Sequence, residues 1–228
     1  MDVAFVSPNG TATAGNASGG DLVITKPSGV LDNYTMVVSL YSEFSSTAWT
    51  LPTGWAWWMG PTGQDIIVGA TPSAWIFSAW KTASSEPASW TFVHGGTAWR
   101  IGAFATFSGA FTGGDPEDST GPTGNSGIIS DDAPILLSVI TNSANDMLIG
   151  TSANFSGADL SAGASGMTLA VQLGGCGIVY ELQAAAGASG TKTLSLSANS
   201  EWSTILQAIK GAVAATSSRS KLTLLGVS

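Results

Sequence analysis

Apolar residues recur at every second position along much of this chain. In residues 36–41, Met36, Val38 and Leu40 fall on one face, and residues 74–81 and 99–107 alternate in the same way. Clusters of Gly, Pro, Asn and Ser separate these segments. A period of two between turn signals is typical of β-strands and not of helices.

This pattern predicts at least ten short strands. They lie at residues 22–25, 36–41, 55–59, 66–68, 74–81, 90–93, 99–107, 134–140, 146–151, 167–173, 178–183 and 191–197. Residues 109–127 carry turn signals throughout and are predicted to form a loop. Residues 201–210 fit helical and strand spacing equally. We expect an all-β fold, a single antiparallel β-sandwich of jelly-roll or concanavalin-like type over residues 1–211, with a C-terminal extension at residues 212–228.

The low charge of the chain narrows the classes of partner. Charged residues make up 10% of the 228 residues, and the net charge is −8 with seven basic residues. Binding to nucleic acid depends on neutralising phosphates, and an anionic membrane repels an acidic protein, so we expect neither partner. The N-terminus has no secretory-signal pattern, no apolar run reaches a membrane-spanning length, and the lone Cys176 forms no intrachain disulfide.

Catalytic motifs are missing from the sequence. His94 is its only histidine, and it contains neither GxSxG nor GxxxxGK[ST]. A triad that uses His94 is conceivable, although a solvent-facing loop histidine is the simpler interpretation. We therefore predict a protein that is not an enzyme and has no cofactor.

The predicted loop contains an acidic cluster. Asp115, Glu117 and Asp118 lie close together, and Asp131 and Asp132 follow. Carboxylates at this density are candidate Ca²⁺ ligands or a glycosidase pair. Their spacing matches no EF-hand, so a solvated turn without metal is the preferred interpretation.

Tryptophan is the most informative residue type here. Nine are present, and Trp57 and Trp58 are adjacent, so strict alternation sends them to opposite faces. Most are expected in the core, but an exposed Trp would serve as a sugar platform or an interface anchor. The candidates are Trp49, Trp55, Trp57, Trp58 and Trp80.

An ordered series of motifs runs through residues 19–211. It includes GDLVITKPSGV, LPTGW, IFSAWKTASSEPASWTF, WRIGAFATFSG, DMLIG, SGMTLAVQ and ELQAAAGASGTKTLSLSANSEWSTILQAIKG. The series resembles a β-sandwich domain that recurs in tailed-phage structural proteins and in some bacterial surface proteins. DNYTMV and TGQDIIVGATPS depart from the usual pattern. The resemblance implies a fold and no catalytic residues.

The C-terminal extension is a second candidate interface. An Ala/Ser-rich stretch leads to a basic and apolar end, where Arg219, Lys221, Leu222, Leu224 and Leu225 are the candidates. Such a segment is suited to adding a strand to a neighbour, and the alternative is that it docks on its own domain.

These observations and the resemblance together predict a non-enzymatic structural protein located in a phage virion. It would be a capsid decoration or cement protein, or a small head or tail-fibre component, in contact with other capsid or tail proteins. We expect a homo-oligomer, with a trimer as one arrangement. The alternative is a carbohydrate-binding adhesin that recognises a host glycan through exposed Trp residues.

Overall fold

The computed structural model describes residues 2–7, 9–16, 20–43, 49–68, 71–96 and 99–212. Within these ranges the side chains of residues 16, 60–68, 71–73 and 128–129 are not described. The secondary structure of the described ranges is strand and turn, and no helix capable of crossing a membrane occurs there. The all-β prediction is confirmed.

The described residues form twenty strands, which are numbered in chain order. They are β1 (Ala4–Phe5), β2 (Thr11–Asn16), β3 (Leu22–Thr25), β4 (Thr35–Glu43), β5 (Trp49–Thr50), β6 (Ala56–Val68), β7 (Thr71–Thr82), β8 (Ser89–His94), β9 (Arg100–Ser108), β10 (Thr123–Asp131), β11 (Ile135–Leu136), β12 (Ile140–Thr141), β13 (Asp146–Asn154), β14 (Leu160–Ser161), β15 (Thr168–Leu173), β16 (Cys176–Gln183), β17 (Gly187–Ala188), β18 (Lys192–Thr193), β19 (Ser195–Leu196) and β20 (Ser200–Ile209).

Two large antiparallel sheets dominate the fold, one from each half of the chain. Residues 2–109, the N half, form a sheet with the order β1/β2–β9–β4–β7–β6, in which β1 and β2 pair with successive parts of β9. Residues 110–212, the C half, form a sheet with the order β10–β20–β13–β16–β15. We call these the N sheet and the C sheet. The two orders are the same when only the strands of each large sheet are counted in chain order, with β2 set aside.

The match between the halves extends to single residues. In the N sheet Val37 pairs with Trp80 and Ala105, and in the C sheet Ile149 pairs with Tyr180 and Gln207. Four residues before each of the equivalent positions Val37 and Ile149 the chain adopts a left-handed conformation, at Asn33 (φ 67°) and at Asn145 (φ 63°). Asn tolerates positive φ better than most residues, so both halves use the same turn chemistry. The chain is therefore an internal structural duplication.

The two sheets pack face to face around a shared core. The N sheet contributes Val37, Tyr41, Ile76, Ile101, Ala103, Ala105 and Phe107, and the C sheet contributes Met147, Ile149, Ala153, Cys176, Ile178, Ile205 and Ile209. Edge strand β6 lies against β20 and β10, whereas β2 lies against β15. The strand orders thus run in opposite directions across the core, as a two-fold rotation between the halves would require.

Short strands cover the outer face of each large sheet. Strands β3, β8 and β5 form the N cover, which encloses an aromatic cluster of Trp49, Trp55, Phe77, Trp90, Phe92 and Phe104. The pairs β11–β18, β12–β17 and β14–β19 form the C cover over Leu136, Leu148, Val179, Leu194, Trp202 and Leu206. Central strands β4 and β13 are therefore buried on both faces. This explains why their sequences are nearly continuous apolar and small runs.

Several boundaries differ from the sequence prediction. Residues 201–210, which were ambiguous, form β20, whose backbone pairs with β13 and β10. The predicted loop at residues 109–127 already contains the start of β10 and three bridges. Ala110 and Glu117 pair with Gly211 and Ile209 at the end of β20, and Ser119 pairs with Thr141 of β12. The predicted strands at 134–140 and 191–197 are each broken into two. The jelly-roll or concanavalin-like type stays a prediction, as does the domain boundary at residue 211.

Candidate functional site

The five candidate tryptophans lie inside the protein or at the margins of its cores. Trp49 and Trp55 are buried in the N-cover cluster, where the Trp55 ring makes edge contacts with Trp90 (5.8 Å) and Phe92 (5.2 Å). Trp58 is buried in the shared core and stacks on half-buried Trp80 with 6.2 Å between ring centroids. An aromatic platform on the surface is therefore not formed by these residues in the single chain.

Adjacent Trp57 and Trp58 do point to opposite faces. Trp58 belongs to the shared core, and half-buried Trp57 packs against the N-cover cluster, 5.9 Å from the Phe77 ring. Because the N sheet is covered on both faces, neither ring reaches solvent fully. Alternation correctly separated the two rings, but it could not reveal the second covering layer.

An uncharged exposed face lies on the N cover. Its exposed strand positions are Val23, Thr25, Thr50, Ser89, Thr91 and Val93. Val23 is 52% exposed and lies opposite Thr91, and Val93 is 41% exposed and lies opposite Thr50. We call this surface the N outer face.

The C cover carries an equivalent surface, the C outer face. Its exposed strand positions are Ile135, Ile140, Ser161, Ala188 and Thr193, and exposed Leu137 lies between the first two strands. Ile135 lies opposite Thr193, which repeats the opposition of Val23 and Thr91 in the N half. Among the exposed positions of the described cover strands there is no charged residue. This lack of charge is visible in the sequence, at the positions that alternate with the buried residues of the cover strands.

His94 is not the solvent-facing loop residue that the sequence suggested. It is 3% exposed, because it ends β8 beneath the ring of Trp49, with 4.7 Å between ring centroids. Its Nδ1 accepts a hydrogen bond from the Gly96 N–H (3.1 Å), and its own backbone N–H donates to Asp21 Oδ1 (3.4 Å). These contacts fix Gly96, where the chain turns after β8, and give His94 a structural role.

Arg100 lies beside this turn and is fully buried. Its guanidinium donates to the carbonyl of Gly96 and lies 6.0 Å from the centre of the Trp49 ring. Burial lowers the pKa of Arg100, and Asp21 partly opposes that shift. The guanidinium therefore binds the backbone at Gly96, just after the end of β8.

The acidic cluster is divided by the fold. Asp115 is exposed and accepts from the Glu117 N–H (2.9 Å), while Glu117 Oε1 accepts from the Ser119 hydroxyl (3.0 Å). Burial raises the pKa of Glu117. Asp118 instead turns towards Asp146, a fully buried residue that sequence reasoning missed. Asp131 lies elsewhere, where its carboxylate accepts from the Trp202 indole (2.6 Å).

The chemistry of this arrangement is limited. The described residues contain no group of three or more His, Cys, Asp or Glu side chains placed to hold a metal ion. The tail candidates Arg219, Lys221, Leu222, Leu224 and Leu225 lie outside the described residues.

Comparisons of the chain with protein-family models, with curated proteins and with solved structures each find no match.

Proposed function

We propose that this chain is a non-enzymatic structural component of a tailed-phage virion that acts through protein–protein contacts. A capsid decoration or cement protein, or a small head or tail-fibre component, fits this role. The proposal rests on the resemblance of the sequence motifs and on one structural observation, the two uncharged outer faces. Assembly as a homo-oligomer, for instance a trimer, is part of the proposal.

The outer faces support a contact role because they lack groups that are costly to desolvate. The buried centre of a protein interface is depleted in charged residues, and pairing a rigid uncharged surface with a partner avoids burying unpaired ions. Val23 and Ile135 are held rigidly, since their neighbours Leu22 and Leu136 are fully buried. A rigid apolar contact loses little conformational entropy on binding.

The glycan-binding alternative receives less support. It requires an exposed tryptophan, whereas Trp49, Trp55 and Trp58 are buried and Trp57 and Trp80 are half-buried. A host glycan as partner therefore has no aromatic platform on the described surface.

The test introduces a charge on each outer face. Val23→Lys and Ile135→Lys, alone and combined, should leave the circular dichroism spectrum unchanged, because both side chains already point to solvent. Self-association in sedimentation velocity, or co-sedimentation with phage particles that lack the protein, should fall by about tenfold or more for the double variant.

The matched control is Leu173→Lys, at the hairpin between β15 and β16, where Leu173 is 38% exposed but belongs to neither outer face. It should behave as the unmodified chain. Unchanged association of the double variant would show that the outer faces are not the contact surface.

A further inference from the structure

One segment of the C half closes the edge of the C sheet beside β20. The Asp118 N–H donates to the Ala208 carbonyl (3.0 Å), and the Lys210 N–H donates to the Pro116 carbonyl (2.8 Å). Asn142 binds the other side of the segment, with its N–H 3.0 Å and its side-chain amide 3.1 Å from the Asp118 carbonyl. We call residues 116–119 the edge segment.

A buried carboxyl pair lies at the base of this segment. Asp146, the first residue of β13, has 0% exposure, and neither of its carboxylate oxygens accepts a well-formed hydrogen bond within the described structure. The buried Oδ2 of Asp118 is likewise without a donor. Two ionised carboxylates accept but cannot donate, so they repel, whereas one shared proton lets the first donate to the second.

The surroundings favour the protonated form. Burial, the contact with the Asp118 carboxyl and the charge of Asp118 raise the pKa of Asp146 to about 7, while the nearby Ser143 N–H and the charge of Lys210 act in the opposite direction. Among the described charged groups, Lys210 just after β20 acts on Asp146, and Asp115 acts on Glu117, the residue before Asp118. Lys210 is partly engaged elsewhere, because its ammonium lies 3.5 Å from the Glu117 carbonyl and 4.6 Å from the centre of the Phe111 ring.

The N half shows that the architecture does not need this pair. There β1 occupies the place of the edge segment, and the Val6 N–H donates to the Thr106 carbonyl (2.9 Å) as Asp118 does to Ala208. By register, Val6 and Tyr34 stand where Asp118 and Asp146 stand in the C half. The N-half segment is held by packing, with the Phe5 ring 4.7 Å from Tyr180 and 5.9 Å from Phe107.

We propose that Asp118 and Asp146 form a proton-operated latch, which holds the edge segment on β20 while they share one proton and loosens it when that proton leaves. When the latch loosens, the Asp118 N–H no longer donates to the Ala208 carbonyl, and the Lys210 N–H no longer donates to the Pro116 carbonyl. The backbone edge of β20 is then exposed. An exposed edge is a site for strand addition. The inference does not depend on the virion role.

The sign of the pH effect follows from the folded pKa. Asp146 ordinarily titrates near 3.8, and in the fold it titrates near 7, so the folded state holds the proton over the interval between those values. The latch should therefore be closed below about pH 7 and open above it.

Hydrogen exchange at single amides tests the latch directly. Protection factors of the Asp118, Lys210 and Asn142 amides, corrected for the intrinsic effect of pH, should fall by about tenfold or more between about pH 5.5 and about pH 8.5. Amides in β4 should keep their protection. In Asp146→Asn, whose neutral amide mimics the protonated acid, protection of all three should stay high at both pH values.

Asp115→Asn is the matched control, because it removes one carboxylate of the same loop but leaves the pair intact, so it should retain the full pH response. Asp118→Asn is the second test variant if Asp146→Asn fails to fold. Equal protection at both pH values in the unmodified chain would overturn the proposal, and so would a response that persists in the pair variants. Restored protection at about pH 8.5 on adding CaCl₂ would also overturn it, by showing that a cation occupies the pair.

Discussion

The N half and the C half share a strand order and a register. The clusters beneath the N cover and the C cover, here called the outer cores, contain different residues. Phe104 stacks on Trp90 (5.1 Å) at the position where the C half has Leu206, and Val38 occupies the position of Gly150. Both arrangements place Phe104 and Leu206 at fully buried positions. The alternation of buried positions and the turn chemistry are therefore preserved between the halves, while side-chain size is redistributed within each outer core.

One glycine in each large sheet leaves space for a leucine of the cover. In the N half a Cβ on Gly102 of β9 would lie 2.7 Å from Leu22 Cδ2, and in the C half a Cβ on Gly150 of β13 would lie 2.7 Å from Leu136 Cδ1. Each cover thus inserts a leucine above a glycine of its large sheet. The glycine is on an outer-neighbour strand in one half and on the central strand in the other.

The halves also use ion pairs of opposite polarity at one position. Lys81 follows Trp80 and bonds Glu86 (2.8 Å), whereas Glu181 follows Tyr180 and bonds Lys192 (2.6 Å). By register Lys81 and Glu181 are equivalent. In both halves the pair joins the end of a large-sheet strand to the chain that forms the cover.

The largest effect is expected from matched truncations in the two outer cores. Phe104→Ala should lower the free energy of unfolding by about 3–5 kcal/mol, and Leu206→Ala by about 2–5 kcal/mol, because each leaves a cavity in a fully buried cluster. Urea denaturation followed by tryptophan fluorescence and by circular dichroism measures both. Since the sheets share a core, both variants should unfold in one transition.

Two transitions in either variant would show that the halves unfold separately and would contradict the coupling through the shared core. Val23→Ala, at an exposed position of the N cover, is the control and should change stability by less than about 0.5 kcal/mol.

Most of the long strands could be predicted from the sequence. The strands and the duplication that could not be predicted have physical explanations. Periodicity located β4, β7, β9, β13 and β16, because buried strands leave long apolar runs. It also located the cover strands β3 and β8, but it missed β2, whose sequence TATAGN is small and polar, and it could not show that the short strands form covering layers. The duplication was hidden because register, and not residue identity, is what the halves share.

The candidate site was less predictable than the fold. Sequence reasoning looked for function in tryptophans, yet Trp49, Trp55 and Trp57 pack beneath the N cover, and Trp58 and Trp80 pack in the shared core. It grouped Asp115, Glu117 and Asp118 by proximity along the chain, but Asp146 is 28 residues beyond Asp118 and meets it only through sheet pairing. Neighbours of that kind are set by topology and leave no local signal.

An intermediate effect is expected from the two ion pairs. Glu86→Gln should cost about 1–3 kcal/mol, because the Glu86 side chain is 2% exposed and accepts from Lys81 (2.9 Å), Ser84 (2.9 Å) and Trp90 (2.8 Å). Lys192→Met should cost less than about 1 kcal/mol, since the C-half pair is more exposed. Thermal denaturation of both variants measures the difference.

The contribution of the Lys81–Glu86 pair to stability should also depend on pH. Burial opposes ionisation of Glu86, but the bonds from Lys81, Ser84 and Trp90 outweigh it and lower its pKa below the ordinary 4.5. The stabilisation is therefore present above that value and lost as the pH falls through the folded pKa. The stability gap between the unmodified chain and Glu86→Gln should narrow in acid, and a constant gap would contradict the assignment.

The smallest effect is expected at equivalent positions in the shared core. Ile76 of β7 and Cys176 of β16 correspond by register, and the Cys176 Sγ lies 3.4 Å from the Ser39 hydroxyl of the opposing sheet. Ile76→Val and Cys176→Ala should each cost about 0.5–1.5 kcal/mol, as measured by urea denaturation. A loss above about 3 kcal/mol in only one of them would show that the core depends unequally on its two sheets.

Cys176 also reports on how the halves separate. Burial raises the pKa of its thiol to about 11, so the folded protein should react with a thiol reagent only when the sheets part. If opening requires both sheets, Phe104→Ala and Leu206→Ala should accelerate the reaction in proportion to their loss of stability, whichever half carries the change. Acceleration by Leu206→Ala alone would mean that the C half opens by itself, and the shared core would then be a contact between two independent sheets.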